Sequence, residues 1–207
     1  MIYYNSKTAL VVVDMQNDFA SPGRSMDRSQ HGSLYVQGGE TIIEGINEEI
    51  IAAKQDFSPV IYTRDWHPPI TPHFAKDGGP WPTHCVAGTW GAEYVDGLIG
   101  PNRSSFEVLK GPGHEHGYSA FDTPVADPIT LELTYWGLND ELVRLGIHHI
   151  VIVGLATDYC VGQTAIAGAN HGYGVVVVEN LVKAVNLEAG DGDRMKASIE
   201  SAGGIFL

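Results

Sequence analysis

Residues 147–161, Ile-His-His-Ile-Val-Ile-Val-Gly-Leu-Ala-Thr-Asp-Tyr-Cys-Val, decide the fold more than any other stretch of this chain. Residues 147–153 form the most apolar run of the C-terminal half, which predicts a buried strand, and residues 162–171 are predicted to form a helix. Cys160 therefore lies where a strand turns into a helix. Such a turn places backbone N–H groups and the positive end of a helix dipole beside the sulfur, which favours a thiolate. The pattern indicates either a nucleophile or one more small buried side chain.

Strand-like and helix-like stretches alternate along the whole sequence. The alternation predicts an α/β fold: a doubly wound, mainly parallel sheet with helices on both faces, in three layers, forming one domain over residues 1–207. The predicted strands are residues 8–13, 59–63, 105–109, 147–153, 174–178 and 205–207, and the predicted helices are residues 40–54, the second half of 128–145, 162–171 and 194–202. Residues 21–38 and 64–91 are predicted to be long loops, which inside a compact domain are usually functional.

The composition limits the classes of partner. The chain has 207 residues, 43% of them apolar, and a formal net charge of −13. Nucleic-acid and anionic-membrane partners are not expected, because both require clustered Lys and Arg. The N-terminus lacks the pattern of a secretion signal and no run has membrane-spanning length, so we expect a cytoplasmic protein. A disulfide between Cys85 and Cys160 is not expected in that compartment.

Asp14, Lys110 and Cys160 each fall at or just beyond the end of a predicted strand. In a parallel sheet these ends share one edge, where ligands bind in α/β folds. Together the three residues would make an amidase, with Cys160 as nucleophile, Asp14 as proton acceptor and donor, and Lys110 as a cation that lowers the thiol pKa. The N–H groups of Ala156 and Cys160 are candidates for an oxyanion hole. Taken singly, an Asp after a strand is more often a turn cap, and a lysine such as Lys110 is more often a solvated surface residue.

A second group of candidate residues lies in the long loop that follows the second predicted strand. Asp65 and His67 are two residues apart, so in an extended segment they face the same side, and His73 and His84 are placed to complete a set of ligands. Carboxylate and imidazole suit zinc, iron, manganese or cobalt. Loop histidines are also often incidental. His114 and His116 have no fixed ligand spacing around them and are predicted to be ordinary loop residues.

Several motifs appear together and in a fixed order. With them the chain resembles the nicotinamidases of the isochorismatase-like cysteine hydrolases. The motifs are residues 12–19 (VVDMQNDF), 64–68 (RDWHP), 81–86 (WPTHCV), 110–111 (KG), 117–121 (GYSAF) and 154–161 (GLATDYCV). Only the candidate metal ligands, Asp65, His67, His73 and His84, separate nicotinamidases from metal-free relatives.

The resemblance implies specific roles for these positions. It implies a catalytic triad of Asp14, Lys110 and Cys160, one divalent metal, and a cis peptide between Leu155 and Ala156. Zinc is the first choice for the metal, with iron or manganese as alternatives. The ligands implied for it are Asp65, His67, His73 and His84. An aromatic slot for a flat ring is implied at Phe19, Trp66 and Tyr118, and Ala156 and Tyr159 complete the expected substrate-binding residues. For any one of these aromatics, ordinary packing is the competing explanation.

The predicted activity is therefore the hydrolysis of nicotinamide to nicotinate and ammonia through a thioester, with pyrazinamide as a further substrate. Two alternatives stay open: an amidase for another small amide, such as a carbamoyl or ureido compound, and a non-enzymatic protein that binds nicotinamide. The expected partners are a small-molecule substrate and further copies of the same chain in a homo-oligomer. Residues 113–116 and 123–134 match none of the motifs, so no role is predicted for them.

Overall fold

The computed structural model describes residues 2, 4–24, 27–102, 105–112, 117–122 and 136–207. Within them, the strands are β1 (Thr8–Val13), β2 (Pro22–Arg24), β3 (Asp27–His31), β4 (Val60–Asp65), β5 (Phe106–Lys110), β6 (His149–Leu155), β7 (Gly174–Lys183) and β8 (Ile205–Phe206). The helices are α1 (Asn17–Ala20), α2 (Ile43–Gln55), α3 (Leu138–Arg144), α4 (Gly162–Asn170) and α5 (Asp191–Ser201), and a π-helical turn, Thr157–Val161, precedes α4. Residues 113–116, which include His114 and His116, and all of residues 123–134 lie outside the described residues.

The main sheet has six strands in the order β5-β4-β1-β6-β7-β8, and every pair in it is parallel. From β1 the chain continues outward through β4 to β5 and then crosses to β6, on the other side of β1. The strand order therefore reverses between β1 and β6. In an open α/β sheet a crevice forms at the carboxyl ends of the strands at this point. Asp14 follows β1 and Cys160 follows β6, so both border that crevice.

The sheet is buried on both faces, because residues of β1 alternate between two hydrophobic clusters. Leu10 and Val12 pack with Ile46 and Ile50 of α2 on one face. On the other face, Ala9, Val11 and Val13 pack with helices α3, α4 and α5, through Leu142, Ala165 and Ile199 respectively. Full burial of one such aliphatic side chain contributes about 1.5–3 kcal/mol. A strand buried on both sides needs a continuous apolar run rather than an alternating one, and this is the pattern seen in β1 and β6.

The predicted doubly wound parallel sheet is confirmed, and all six of its strands are present. Strands β4, β5 and β6 lie one or two residues further along the chain than predicted, and β7 extends five residues beyond its predicted end at residue 178. One prediction was wrong: the predicted loop 21–38 contains the antiparallel hairpin of β2 and β3. Its sequence has no apolar alternation, so a search by periodicity misses it. Helix α5 begins at Asp191, three residues before its predicted start. Gly192 has a low helix propensity, so the sequence did not indicate this start, although the acidic residues in the first turn favour it.

Among the described residues, no helix has both the length and the apolar character needed to cross a membrane.

Candidate active site

Asp14 lies immediately after β1 and turns the chain away from the sheet. Its φ of 48° is in the left-handed region, which non-glycine residues adopt rarely and often at functional sites. Its carboxylate is fully buried. The hydroxyl of Thr63 donates to Oδ1 over 2.5 Å, and Oδ2 lies 2.7 Å from Nζ of Lys110. Burial raises the pKa of Asp14 above the ordinary carboxyl value, although Lys110 acts in the opposite direction.

Lys110 ends β5 and is paired in register with Asp65 of β4. Its ammonium nitrogen is fully buried and lies 2.6 Å from Oδ1 of Asp65 and 2.7 Å from Oδ2 of Asp14. It also donates to Sγ of Cys160 over 3.2 Å. Burial by itself would lower the pKa of Lys110, but attraction to the two carboxylates outweighs burial and holds that pKa well above its usual value. The two carboxylates therefore favour the charged form of Lys110.

Cys160 lies in the π-helical turn between β6 and α4, and its thiol borders the cavity described below. The peptide bond between Leu155 and Ala156 is cis. In this turn the carbonyl of Ala156 accepts from the N–H groups of Tyr159 and Val161. The predicted lowering of the thiol pKa is wrong. Burial raises the pKa of Cys160 well above its usual value, and Lys110 only partly opposes that effect. Burial therefore favours the thiol over the thiolate.

Three histidines meet on the other side of the site. His67, His73 and His84 are all buried, and each offers a nitrogen atom within 4.8 Å of those of the others. Nδ1 of His67 is 3.1 Å from the carbonyl of Gly111, and Nδ1 of His84 is 2.7 Å from that of Pro82. Such second contacts fix the ring orientation of metal-binding histidines.

Asp65 completes this group. Its Oδ2 lies 3.6 Å from Nε2 of His67 and 3.8 Å from Nε2 of His84, so the two ring nitrogens converge on the same carboxylate. Nε2 of His67 is buried and has no hydrogen-bond partner among the described residues. A buried orphan nitrogen is costly unless something binds it. Three imidazoles and one carboxylate at these separations are a suitable donor set for one divalent transition metal.

Gly111 has a structural role in the same group. Its φ is 68°, and a Cβ atom at this position would overlap the ring of His67. Only glycine allows the ring of His67 to lie against the backbone after β5. In the pair Lys110-Gly111, Lys110 thus contacts Asp14 and Cys160, and Gly111 makes room for the ring of His67.

One cavity borders both groups of residues, with His73 and His84 from the histidine group and Cys160 in its wall. It is lined by Asp14, Phe19, Leu34, Val36, Asp65, His73, Trp81, His84, Tyr118, Leu155, Ala156, Tyr159, Cys160 and Val185. Trp81, Tyr118 and Tyr159 form an aromatic wall. Nε1 of Trp81 donates to the Tyr118 hydroxyl over 2.7 Å, and its ring meets that of Tyr159 edge to face at 4.9 Å.

Trp66, predicted to belong to the aromatic slot, does not line the cavity. Its ring lies under the guanidinium of Arg64, at 4.5 Å from the ring centroid, and packs against the core on the α2 side of the sheet. The physical reason is alternation along an extended segment: Asp65 and His67 face the site, so Trp66 must face the opposite way. Trp81 lines the cavity instead, and the sequence analysis missed it. Its position three residues before His84, in the motif of residues 81–86, was the available indication.

The fold and the site together define an enzyme of α/β architecture with a buried thiol, a carboxylate and an ammonium group at the edge of a parallel sheet. A model of the isochorismatase domain matches residues 8–199, and the chain belongs to this family.

Three similar proteins illustrate the match. The nicotinamidase of Saccharomyces cerevisiae is 31% identical over 204 residues, covering 86% of this chain and 88% of that protein. The crystal structure of a pyrazinamidase of Pyrococcus horikoshii in complex with zinc has a TM-score of 0.80 and 32% identity, covering 97% of this chain and 98% of the other. The structure of PnC1 from L. infantum in complex with nicotinate has a TM-score of 0.81 and 32% identity, covering 100% and 95%.

Proposed function

We propose that this protein is a metal-dependent amidohydrolase that converts nicotinamide to nicotinate and ammonia. The observation that carries the proposal is one cavity with an aromatic wall, bordered by a set of potential metal ligands and by a buried cysteine. A pyridine carboxamide has a ring nitrogen that can coordinate a metal ion and a carbonyl carbon that a cysteine thiol can attack. Similarity to a nicotinamidase, and to a protein whose structure holds nicotinate, supports the same substrate.

In the first half-reaction, the thiol of Cys160 gives its proton to Asp14 while its sulfur forms a bond to the carboxamide carbon. The N–H groups of Ala156 and Cys160 stabilise the oxyanion. Asp14 then returns the proton to the leaving nitrogen, the C–N bond breaks, and ammonia departs from a thioester. Because burial favours the thiol, a base beside it is required, and Asp14 is that base.

In the second half-reaction, Asp14 takes a proton from water as the water oxygen attacks the thioester carbon. The C–S bond breaks, the sulfur recovers a proton from Asp14, and the product leaves as nicotinate after its carboxyl group loses the second water proton to solvent. Lys110 contributes a fixed positive charge 3.2 Å from the sulfur. That charge stabilises the negative sulfur during attack and departure, and it also holds the carboxylate of Asp14 in place.

Asp65, His67, His73 and His84 would hold the metal ion. When bound, the ion would act as a Lewis acid and coordinate the pyridine nitrogen of the substrate. Zinc is the proposed ion, in keeping with the zinc-containing pyrazinamidase structure, and iron or manganese are the alternatives. Phe19, Tyr118, Ala156 and Tyr159 are proposed as substrate-contacting residues, and Trp81 replaces Trp66 in this set. Four features stay predictions: activity on pyrazinamide, a single domain over residues 1–207, a cytoplasmic location and a homo-oligomeric state.

The test is the release of ammonia from nicotinamide by the purified protein. We expect turnover, and we expect Cys160→Ala to abolish it while ring binding persists. Ammonia released only from a ureido or carbamoyl compound would favour an amidase of other specificity. Binding of nicotinamide without ammonia release would favour the non-enzymatic alternative.

A further inference from the structure

The side chain of Gln16 is completely buried, and the reaction proposed above does not use it. It lies two residues beyond Asp14, where the chain has already turned away from the sheet. Strand β1 pairs with β4 only as far as Val12 with Tyr62, and one further bond joins the N–H of Asp14 to the carbonyl of Thr63. Asp65, at the end of β4, is therefore beyond the reach of the β1 backbone.

The amide of Gln16 takes the place of the missing strand. Its Oε1 accepts from the N–H of Asp65 over 2.8 Å, and its Nε2 donates to the carbonyl of Asp65 over 2.8 Å. A neighbouring strand would satisfy one residue in the same way, by pairing with both its N–H and its C=O. Nε2 also donates to the carbonyl of Ala92 over 3.0 Å, which joins a third segment to the same point.

The residue held in this way is the one that the two halves of the site share. One carboxylate oxygen of Asp65 contacts the ammonium of Lys110 at 2.6 Å, and the other lies 3.6 Å from Nε2 of His67. On its other side, the backbone of Asp65 is already aligned by the register with Lys110 in β5. A rotation or shift of the Asp65 backbone would change both contacts together.

We propose that Gln16 is a positioning residue for Asp65. Its amide fixes the Asp65 backbone on the side where β1 no longer pairs with β4, and in this way it sets the metal affinity of Asp65 and the three histidines. The inference rests on the proposed function only in assigning Asp65 as a metal ligand. It predicts that a change at Gln16 weakens metal binding, although among the described residues the Gln16 side chain hydrogen-bonds only Asp65 and Ala92 and does not line the cavity.

An amide that only supports the fold would behave differently, and the half-buried Asn47 supplies the control. Its side chain makes the same two-ended contact with a backbone, donating to the carbonyl of Gly97 over 2.7 Å and accepting from the N–H of Ile99 over 2.7 Å. It lies on α2, and none of these three residues lines the cavity. Asn47→Leu therefore removes a comparable pair of hydrogen bonds without reaching the site.

The experiment measures the zinc dissociation constant by competition with a chromogenic chelator for the parent protein, Gln16→Met, Gln16→Glu and Asn47→Leu. Thermal unfolding of each zinc-free protein is recorded alongside. Gln16→Met keeps the length of the side chain but can neither accept from nor donate to Asp65. We expect its zinc dissociation constant to rise roughly 10- to 100-fold, the range typical of groups that orient metal ligands. Asn47→Leu should lower the melting temperature and leave the dissociation constant unchanged.

Gln16→Glu covers the possibility that Gln16→Met does not fold. A carboxylate still accepts from the N–H of Asp65 but cannot donate to its carbonyl, so we expect a rise in the dissociation constant of the same sign. Unchanged zinc affinity in a folded Gln16 variant, or an equal loss in Asn47→Leu, overturns the inference, as does a parent protein that binds no zinc. The proposed function fails by a different result, the absence of ammonia release from nicotinamide, and zinc titration does not depend on that result.

Discussion

The ammonium nitrogen of Lys110 lies 3.2 Å from the sulfur of Cys160, and both groups are buried. A buried cation beside a buried thiol lowers the cost of forming a thiolate, but here burial itself has the larger effect on the thiol pKa. The charge on the sulfur is therefore expected to develop during attack, when Asp14 accepts the proton, rather than to exist beforehand. This relationship makes the three residues one unit and leads to the first two predictions.

Replacing Cys160 by Ala should reduce kcat for nicotinamide by at least about 10³-fold, because no other group can carry the acyl intermediate. Cys85→Ala is the matched control. Cys85 is also a buried free cysteine, but its sulfur faces the carbonyl of Gly91 and does not line the cavity. Steady-state ammonia release measures both variants. Near-parental turnover in Cys160→Ala would rule out the cysteine mechanism.

Asp14→Asn and Lys110→Met should each lower kcat by several orders of magnitude, and the double variant should lose little more than either alone. The losses overlap because each residue acts on the same proton and the same sulfur. Lys110→Met also leaves two carboxylates buried without their cation, so the free energy of unfolding should fall by about 3–5 kcal/mol. Kinetics must therefore be measured where denaturation curves find each variant folded. Additive losses would mean that the two residues act independently.

Much of the sheet could be predicted because a strand buried on both faces requires a continuous apolar run. The positions of Asp14, Lys110 and Cys160 followed from the ends of those runs, since parallel strands bring their carboxyl ends to one edge. Hairpin β2–β3 could not be found in this way, because it has no apolar alternation. Leu34 and Val185, which help to wall the cavity, come from segments without periodicity, so their positions depend on tertiary contacts.

Two features of the site were misjudged for reasons that the structure makes clear. The sequence placed Trp66 in the aromatic slot by resemblance, although the alternation between Asp65 and His67 already pointed Trp66 the other way. The thiol pKa of Cys160 was expected to fall because a cation was predicted nearby. The extent of burial, which determines the opposing effect, depends on how the whole chain packs and cannot be obtained from a local motif.

Trp81→Ala should raise KM for nicotinamide by roughly 10-fold with a smaller effect on kcat, because it removes one face of the aromatic wall and the hydrogen bond to Tyr118. Trp66→Ala is the control that separates the two tryptophans. It should leave KM nearly unchanged and lower stability, since its ring packs under Arg64 outside the cavity. The reverse result, with KM raised by Trp66→Ala alone, would restore Trp66 to the substrate site.

Asp158 holds Val185, one of the residues that line the cavity, through backbone hydrogen bonds. Its two carboxylate oxygens accept from the N–H groups of Val185 and Asn186, at 2.9 and 2.7 Å. Asp158→Asn turns one acceptor into a donor facing an N–H, which should cost about 1–3 kcal/mol of stability and raise KM several-fold as Val185 shifts. Asp191→Asn is the control, because Asp191 accepts from the N–H of Glu188 in an exposed turn. Equal effects of the two changes on KM would contradict the assignment.

The last prediction concerns what the metal does. If the ion grips the pyridine nitrogen, it matters only for substrates that possess that nitrogen, whereas an ion that activated water would be needed for every amide. We therefore expect metal removal, or His73→Ala, to raise KM for nicotinamide about 10- to 100-fold with a smaller loss of kcat. Benzamide has the same ring and carboxamide without the ring nitrogen. It should be a poor substrate from the start and should respond little to the same treatment.

Folding must be separated from binding in this experiment, because three of the four proposed ligands come from one loop and a metal can stabilise the loop that binds it. Circular dichroism and thermal unfolding of the metal-free protein provide that control, and readdition of zinc should restore the parental KM. A folded metal-free protein that loses turnover of nicotinamide and benzamide by the same factor would assign the metal to the chemical step instead. Retained discrimination between the two amides without metal would move recognition of the ring nitrogen to the protein side chains that line the cavity.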